Sequence, residues 1–437
     1  VTLDGRGGGG LRLLELDELY DEALAAAPAR NRVAGAFAAE GVLDDESAGF
    51  APWLRQFSGG EGGDTGTGNP AAPGRGEVAA ALQLARRLGG ATPWPGRGET
   101  AAYLETLATV AAADVTVARV VEPHLDALAI LAECPVGVDR ATVGADRTST
   151  WGVFAAEGPG VRLEAAPAAT GGDAPDARAW VLAGTKPWCS LAGELTHALV
   201  TAHVIDGEGD GAATDANGGT GPGARTAPGQ APGSRRRLFA VALRQDGVRV
   251  HPGTWVARGL PAVPSGPVDF DEVTAVPVGE AGWYLERAGF EWGGVGVAAG
   301  WYGGAVGVAR RVVAAAAAKG DDITALHAGR CATALFGARS ALGLAAARID
   351  SGELDRDDAR ILAQAVRSVV RRAAETVLHE AGEALGPAPL ALDAAHAARV
   401  ADLELYLRQD HGARDEARLG RLILDRETLT GQEAGIR

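Results

Sequence analysis

The chain of 437 residues has no methionine, three cysteines and two lysines, and only 5% of it is aromatic. Each shortage excludes something. Cys134, Cys189 and Cys331 stand far apart and in no CxxC spacing, which argues against a zinc ribbon or a disulfide framework and for free thiols in a reducing compartment. No apolar run approaches the roughly 18–20 residues of a membrane-spanning helix. The glycine-rich start VTLDGRGGGG lacks the apolar segment of a secretory leader, so a cytoplasmic protein is expected. Basic residues are outnumbered, 41 against 56, for a formal charge of −15. That argues against nucleic acid as the main partner, because phosphate binding needs a basic face. Arginine replaces almost all lysine, which reads as coding bias.

What remains is an ordinary globular composition, 46% hydrophobic and 22% charged. Periodicity separates three regions. In residues 1–136 apolar positions recur at three- and four-residue intervals, as in LRLLELDELYDEALAAA, GEVAAALQLARRLGG and ETAAYLETLATVAAADVTVARVVEPHLDALAILAEC, and predict a helical domain. The low-complexity tract 58–76 interrupts it as a loop. In residues 137–276 the texture changes to short β-branched and aromatic runs such as TWGVFAAE, RAWVLAGTK, HALVTAHVI and RRLFAVALR. They predict a compact antiparallel β-barrel or sandwich, with 206–236 too poor in apolar groups to pack and expected to be a disordered insert. Residues 277–437 return to helix and predict a four-helix bundle, with Gly386-Pro387 closing one helix. The fold class expected is α+β.

The stretch LAGTKPWCSLAG, residues 182–193, places one of the two lysines, Lys186, beside Pro187 and Trp188 in the middle of the β region. Its residues fit a tight hairpin turn whose tryptophan plugs the barrel. They also fit an aromatic wall with a nearby hydroxyl, which a flat redox ring needs. Lys186 itself reads as a solvated turn cation.

The order of helices, small β domain and four-helix bundle, with Gly184, Lys186, Trp188, Cys189 and Ser190, resembles the acyl-CoA dehydrogenase superfamily of flavoproteins. The resemblance implies FAD against this segment, with Trp188 packing beside the ring, Cys189 in the same segment, and Ser190 donating near the reactive nitrogen. It places Phe154, Ala155 and Ala156 on the first flavin-contacting strand, although the usual Thr-Glu-Pro wording is absent and only Glu157 and Gly158 echo it. It further implies that Arg330, Phe336 and Gly386 meet the FAD of a neighbouring subunit in a homodimer or homotetramer. Arg330 also fits a plain helix-surface arginine, and Gly386 a helix C-cap.

Two motifs mislead. GGVGVAAG (293–300) is close to a dinucleotide fingerprint but follows no strand, and its small residues suit close helix approach instead. HEAGE (379–383) is not HExxH, and the eight histidines show no ligand spacing, so no metal is expected.

The family's catalytic Tyr-Glu-Gly-Thr is missing; the chain reads YLRQDHGARDEARLG (406–420) there. On one continuous helix Arg408, His411 and Asp415 would share a side, and they are the candidate catalytic group, unless they are exposed helix pairs. The leading expectation is an FAD-dependent acyl-CoA dehydrogenase-like oxidoreductase, with a small-molecule substrate such as an acyl-CoA and an electron acceptor. The resemblance also admits a monooxygenase of the same fold, in which reduced flavin from a separate flavin reductase activates O2 without an α-proton base. A non-catalytic scaffold that kept the fold is the third reading.

Overall fold

The computed structural model describes residues 75–138, 140–168, 180–205 and 236–433. The helix expected at 11–27, nearly all of the loop at 58–76 and the insert expected at 206–236 lie outside the described residues, except that Arg236 is described and begins a strand. By contacts the described residues divide into a helical unit, comprising 75–125, Val256–Val263 and 291–433, and a β unit, comprising the described residues of 126–255 and Pro264–Phe290.

The described helices before the barrel are α1 (Arg75–Ala91), α2 (Thr100–Ala113) and α3 (Val115–Glu133), the last passing from the helical unit into the β unit at Asp126. Asp114 separates the last two because it serves both. Its extended backbone ends α2, and its carboxylate accepts from Val117 N at 2.9 Å to open α3. The β unit includes the short α4 (Trp283–Glu286), and three long helices follow it, α5 (Ala288–Lys319), α6 (Asp322–Ser351) and α7 (Arg356–Leu385). Asp321 and Asp355 cap α6 and α7 by accepting from Thr324 N and Asp358 N, at 2.8 and 2.7 Å. The glycines of α5 do what the sequence suggests. A Cβ on Gly303 would collide with the carbonyl oxygen of Ala108 in α2, so the two helix backbones touch there.

The fourth long helix of the expected bundle is divided. It consists of α8 (Pro387–Leu392), α9 (Ala394–Tyr406) with a 3-10 turn at Leu407–Gln409, and α10 (Ala413–Glu433). The break falls at Asp410–Gly412. Asp410 turns inward and accepts from Gly412 N at 2.7 Å, and Gly412 takes a left-handed φ of 58° that favours glycine. The continuous helix assumed for Arg408, His411 and Asp415 is therefore absent.

The β unit contains β1 (Trp151–Phe154), β2 (Leu163–Pro167), β3 (Trp180–Ser190), β4 (His197–Val204), β5 (Arg236–Ala242), β6 (Val248–Val250) and β7 (Ser265–Val278). Pairings run β4-β2-β3-β7-β5 and return to β4, which closes a barrel, with β1 and β6 attached. The sheet is mixed where the sequence suggested antiparallel, since β4 runs parallel to both β1 and β2. Being paired along both edges, β4 has six consecutive buried residues and reads as one apolar run. Trp151, Leu199, Leu238, Ala240, Val278 and Tyr284 pack together in its core.

Candidate functional site

Strand β3 pairs with β7 along most of its length, but the register shifts between Lys186 and Cys189. The bulge puts Trp188 at φ 59° and Leu191 at φ 58°, two of the four non-glycine residues with positive φ among those described. A left-handed conformation costs a residue with a Cβ about 1–2 kcal/mol, and such strain concentrates at functional positions. Its effect here is to turn the indole out of the barrel, where it is 59% exposed. The tryptophan does not plug the barrel. Cys189, one residue on, points inward and is buried, and burial pushes its thiol up to about 12. Ser190 Oγ lies 2.7 Å from Ser265 Oγ at the start of β7.

Lys186 differs most from its sequence reading. It is not a solvated turn cation: its residue is 1% exposed, and Nζ donates to Glu157 Oε1 at 2.7 Å and Thr201 Oγ1 at 2.9 Å. Burial lowers its affinity for the proton, with Glu157 opposing. Burial acts to raise the Glu157 carboxyl, but the hydrogen bond and charge of Lys186, then Arg236, more than offset it and hold it below the usual range. This cluster joins two stretches expected to meet one ligand. Ala155 O accepts from Arg236 at 2.8 Å, and Gly158 approaches Pro187 so closely that a Cβ there would sit 3.1 Å from the proline ring. The loop after β1, carrying Ala155 and Ala156, thus lies against the Trp188 bulge, while Phe154 is buried in the barrel. One sign was legible: a lysine flanked by apolar runs in a chain that otherwise uses arginine.

In the helical unit His411 and Asp415 come together, with His411 Nδ1 3.4 Å from Asp415, while Arg408 stands apart from them. Arg408 donates to Glu375 at 2.9 Å, whereas the backbone N–H of His411 donates to Asp415 at 3.1 Å across the break. The buried acid of this region is Asp410, whose fully buried carboxylate lies 3.1 Å from Arg371 Nε and 3.9 Å from Arg367. Nothing in the hydrophobic pattern distinguished it, because its burial depends on the break. Arg408 also lines an open cleft of about 830 Å3 with Arg258, Gly259, Ala397, Ala401 and Glu404. One wall is the segment 256–263, pinned where Leu260 N donates to Asp402.

Arg330 and Phe336 stand exposed on α6. Arg330 lies 3.4 Å from Glu380 on α7, which also accepts from His327 Nδ1 at 2.6 Å. Gly386 ends α7 with φ 69°. Among the described residues no group of three or more His, Cys, Asp or Glu could hold a metal ion, and no helix is long and apolar enough to cross a membrane.

The architecture of N-terminal helices, barrel and C-terminal helices is that of the acyl-CoA dehydrogenase-fold flavoproteins. Among solved structures similar to the chain is TdsC from Paenibacillus sp. A11-2 in complex with FMN and indole, at a TM-score of 0.65 and 17% identity over 92% of this chain and 98% of that one. KijD3 in complex with FMN and a dTDP-linked amino-keto sugar matches at 0.62 and 18%, over 94% and 95% of the two chains. A glutaryl-CoA dehydrogenase from Mycobacterium smegmatis in complex with FADH2 matches at 0.60 and 15%, over 87% and 95%. No family model and no curated protein sequence matches the chain.

Proposed function

We propose that the chain is a flavin-dependent oxidoreductase that uses reduced flavin to place one oxygen atom of O2 on an organic substrate. The residues present suit an isoalloxazine ring. An indole is held outward at a strained bulge, a hydroxyl pair lies two residues away, and the loop after β1 meets Lys186 and Pro187 just before the indole. TdsC, also solved as a dibenzothiophene monooxygenase, KijD3 with its FMN and a nitrososynthase from Micromonospora carbonacea var. africana support this reading by likeness of fold.

The observation that carries it over the dehydrogenase reading is how the carboxylates around the turn at 410–416, where the catalytic segment implied by the resemblance would stand, are engaged. An α-proton base must be an accessible carboxylate whose pKa is tuned upward in a dry pocket. Here Asp410 faces Arg371, and Asp415 accepts from His411 N across the helix break. Glu375 is shared by Arg371 and Arg408, and Glu416 by Arg371 and Arg372. Arg372 and then Arg371 hold Glu416 below the usual carboxylate range. A base is not needed when reduced flavin supplies two electrons to O2, one oxygen atom joining the substrate and the other leaving as water.

The chain's own residues then have limited tasks. Trp188 walls the ring, and Ser190 offers a hydroxyl to it. Whether the flavin is FMN or FAD turns on Arg330, Phe336 and Gly386, which in a homo-oligomer would meet a second copy's dinucleotide. The likeness to glutaryl-CoA dehydrogenase keeps acyl thioester oxidation as the second reading.

Two assays on the purified protein separate these. With FMN or FAD reduced by a separate NADH-dependent flavin reductase, oxygen uptake should become coupled to oxygenation of an aromatic heterocycle such as indole. Anaerobic addition of glutaryl-CoA or straight-chain acyl-CoAs should leave the bound oxidised flavin yellow. Bleaching by a thioester overturns the monooxygenase reading.

A further inference from the structure

A lysine is among the costliest side chains to bury, yet Lys186 belongs to the largest fully buried side chains described. Its surroundings are richer in positive charge than pairing requires. Glu157 Oε1 takes Lys186 at 2.7 Å and Arg236 at 3.3 Å, and Glu157 Oε2 lies 3.2 Å from His203 Nε2. Thr201 Oγ1 accepts from both cations, at 2.9 and 3.0 Å. Two cations therefore face one carboxylate, and the buried Nε of Arg236 finds no hydrogen-bond partner. An apolar side chain of Lys186's volume would fill the same space without a pair to satisfy.

Two properties follow from the geometry. The cluster ties β3, β4, β5 and the loop after β1 to one point, two residues along β3 from Trp188. The excess charge sits inside the barrel, where salt screens it little. Resting on the flavin reading above, we infer that Lys186 and Arg236 are positioning residues that hold a net positive charge behind the Trp188 wall, favouring the reduced, anionic form of a flavin bound there. Placing fixed charge near the ring is a way a protein tunes a flavin's electronics.

The test uses variants that cut the same tether but change the charge in opposite directions. Lys186→Met removes a cation, and Glu157→Gln removes the anion. The full-length protein and each variant are titrated with oxidised and with chemically reduced FMN and FAD, and the midpoint potential of the bound flavin is measured. The charge assignment predicts that Lys186→Met lowers the ratio of reduced to oxidised affinity by about tenfold, roughly 30 mV for a two-electron couple. Glu157→Gln should raise it. Lys186→Arg should stay near wild type, and Arg236→Gln should follow Lys186→Met, which keeps the test open if the methionine variant fails to fold. Shifts of the same sign in Lys186→Met and Glu157→Gln, or none, would overturn the inference while leaving flavin binding intact. Failure of the wild-type chain to bind either flavin would overturn the flavin reading itself, and this inference with it.

Discussion

The carboxylate of Asp410 is completely buried 3.1 Å from Arg371 Nε, at the point where the chain leaves α9 and turns into α10. This pair, and not a continuous helix, decides which side chains of the final region face inward. Asp410→Asn should destabilise the protein by about 2 kcal/mol, the scale of a hydrogen-bonded charge lost from a buried site. Asp415→Asn and His411→Ala, at the surface of the same turn, should each cost less than about 1 kcal/mol. Urea unfolding of the three variants checks the contrast.

The bulge at Trp188 separates stability from binding. Glycine accepts φ 59° without the Cβ penalty, and an indole that is 59% exposed contributes little to the core. Trp188→Gly should therefore change stability by no more than about 1 kcal/mol, while weakening flavin binding at least about tenfold, about 1.4 kcal/mol. Thermal unfolding without flavin and a flavin titration give the two numbers.

Close helix approach predicts opposite outcomes for one substitution. Gly303→Ala drives a methyl into the Ala108 carbonyl and should cost about 1–3 kcal/mol through overpacking. Gly329→Ala, on α6 where a Cβ meets nothing within 4 Å, should stabilise by about 0.5–1 kcal/mol through helix propensity. Paired denaturation curves settle both signs.

His124 sets an acid-side dependence. Burial first, with the nearby charge of Arg86, lowers its imidazole to about 4. The unfolded chain binds this proton below about pH 6.5, whereas the folded chain resists it down to about 4. The stability this confers is complete above about 6.5 and is lost as pH falls through that window, up to roughly 3 kcal/mol. In His124→Gln the fall in stability between pH 6.5 and 4 should be smaller by an amount of that order, read from urea midpoints at a series of pH values.

Much of the architecture was legible because long periodic runs and short β-branched runs occupy separate parts of the chain. α5, α6 and α7 correspond to runs whose caps, Asp321, Asp355 and Gly386, stand in the sequence. The break at Asp410 was not legible, because Arg-Gln-Asp-His-Gly-Ala reads as helix until the inward turn of one carboxylate is known. The parallel pairings of β4 and the attachment of Val256–Val263 to the helical unit depend on long-range contacts that no local pattern records. Around Trp188 the residue types were readable, but the bulge that exposes the indole and the burial of Lys186 depend on the register between β3 and β7.

The proposed function requires a tricyclic ring lying against Trp188. Equilibrium titration of the purified full-length protein and of Trp188→Gly with FMN and FAD, oxidised and reduced, tests that most directly. One flavin bound per wild-type chain, with affinity reduced at least about tenfold in the variant, is the predicted result. A wild-type chain that binds neither flavin in either redox state, or a glycine variant that binds as tightly as wild type, would contradict it.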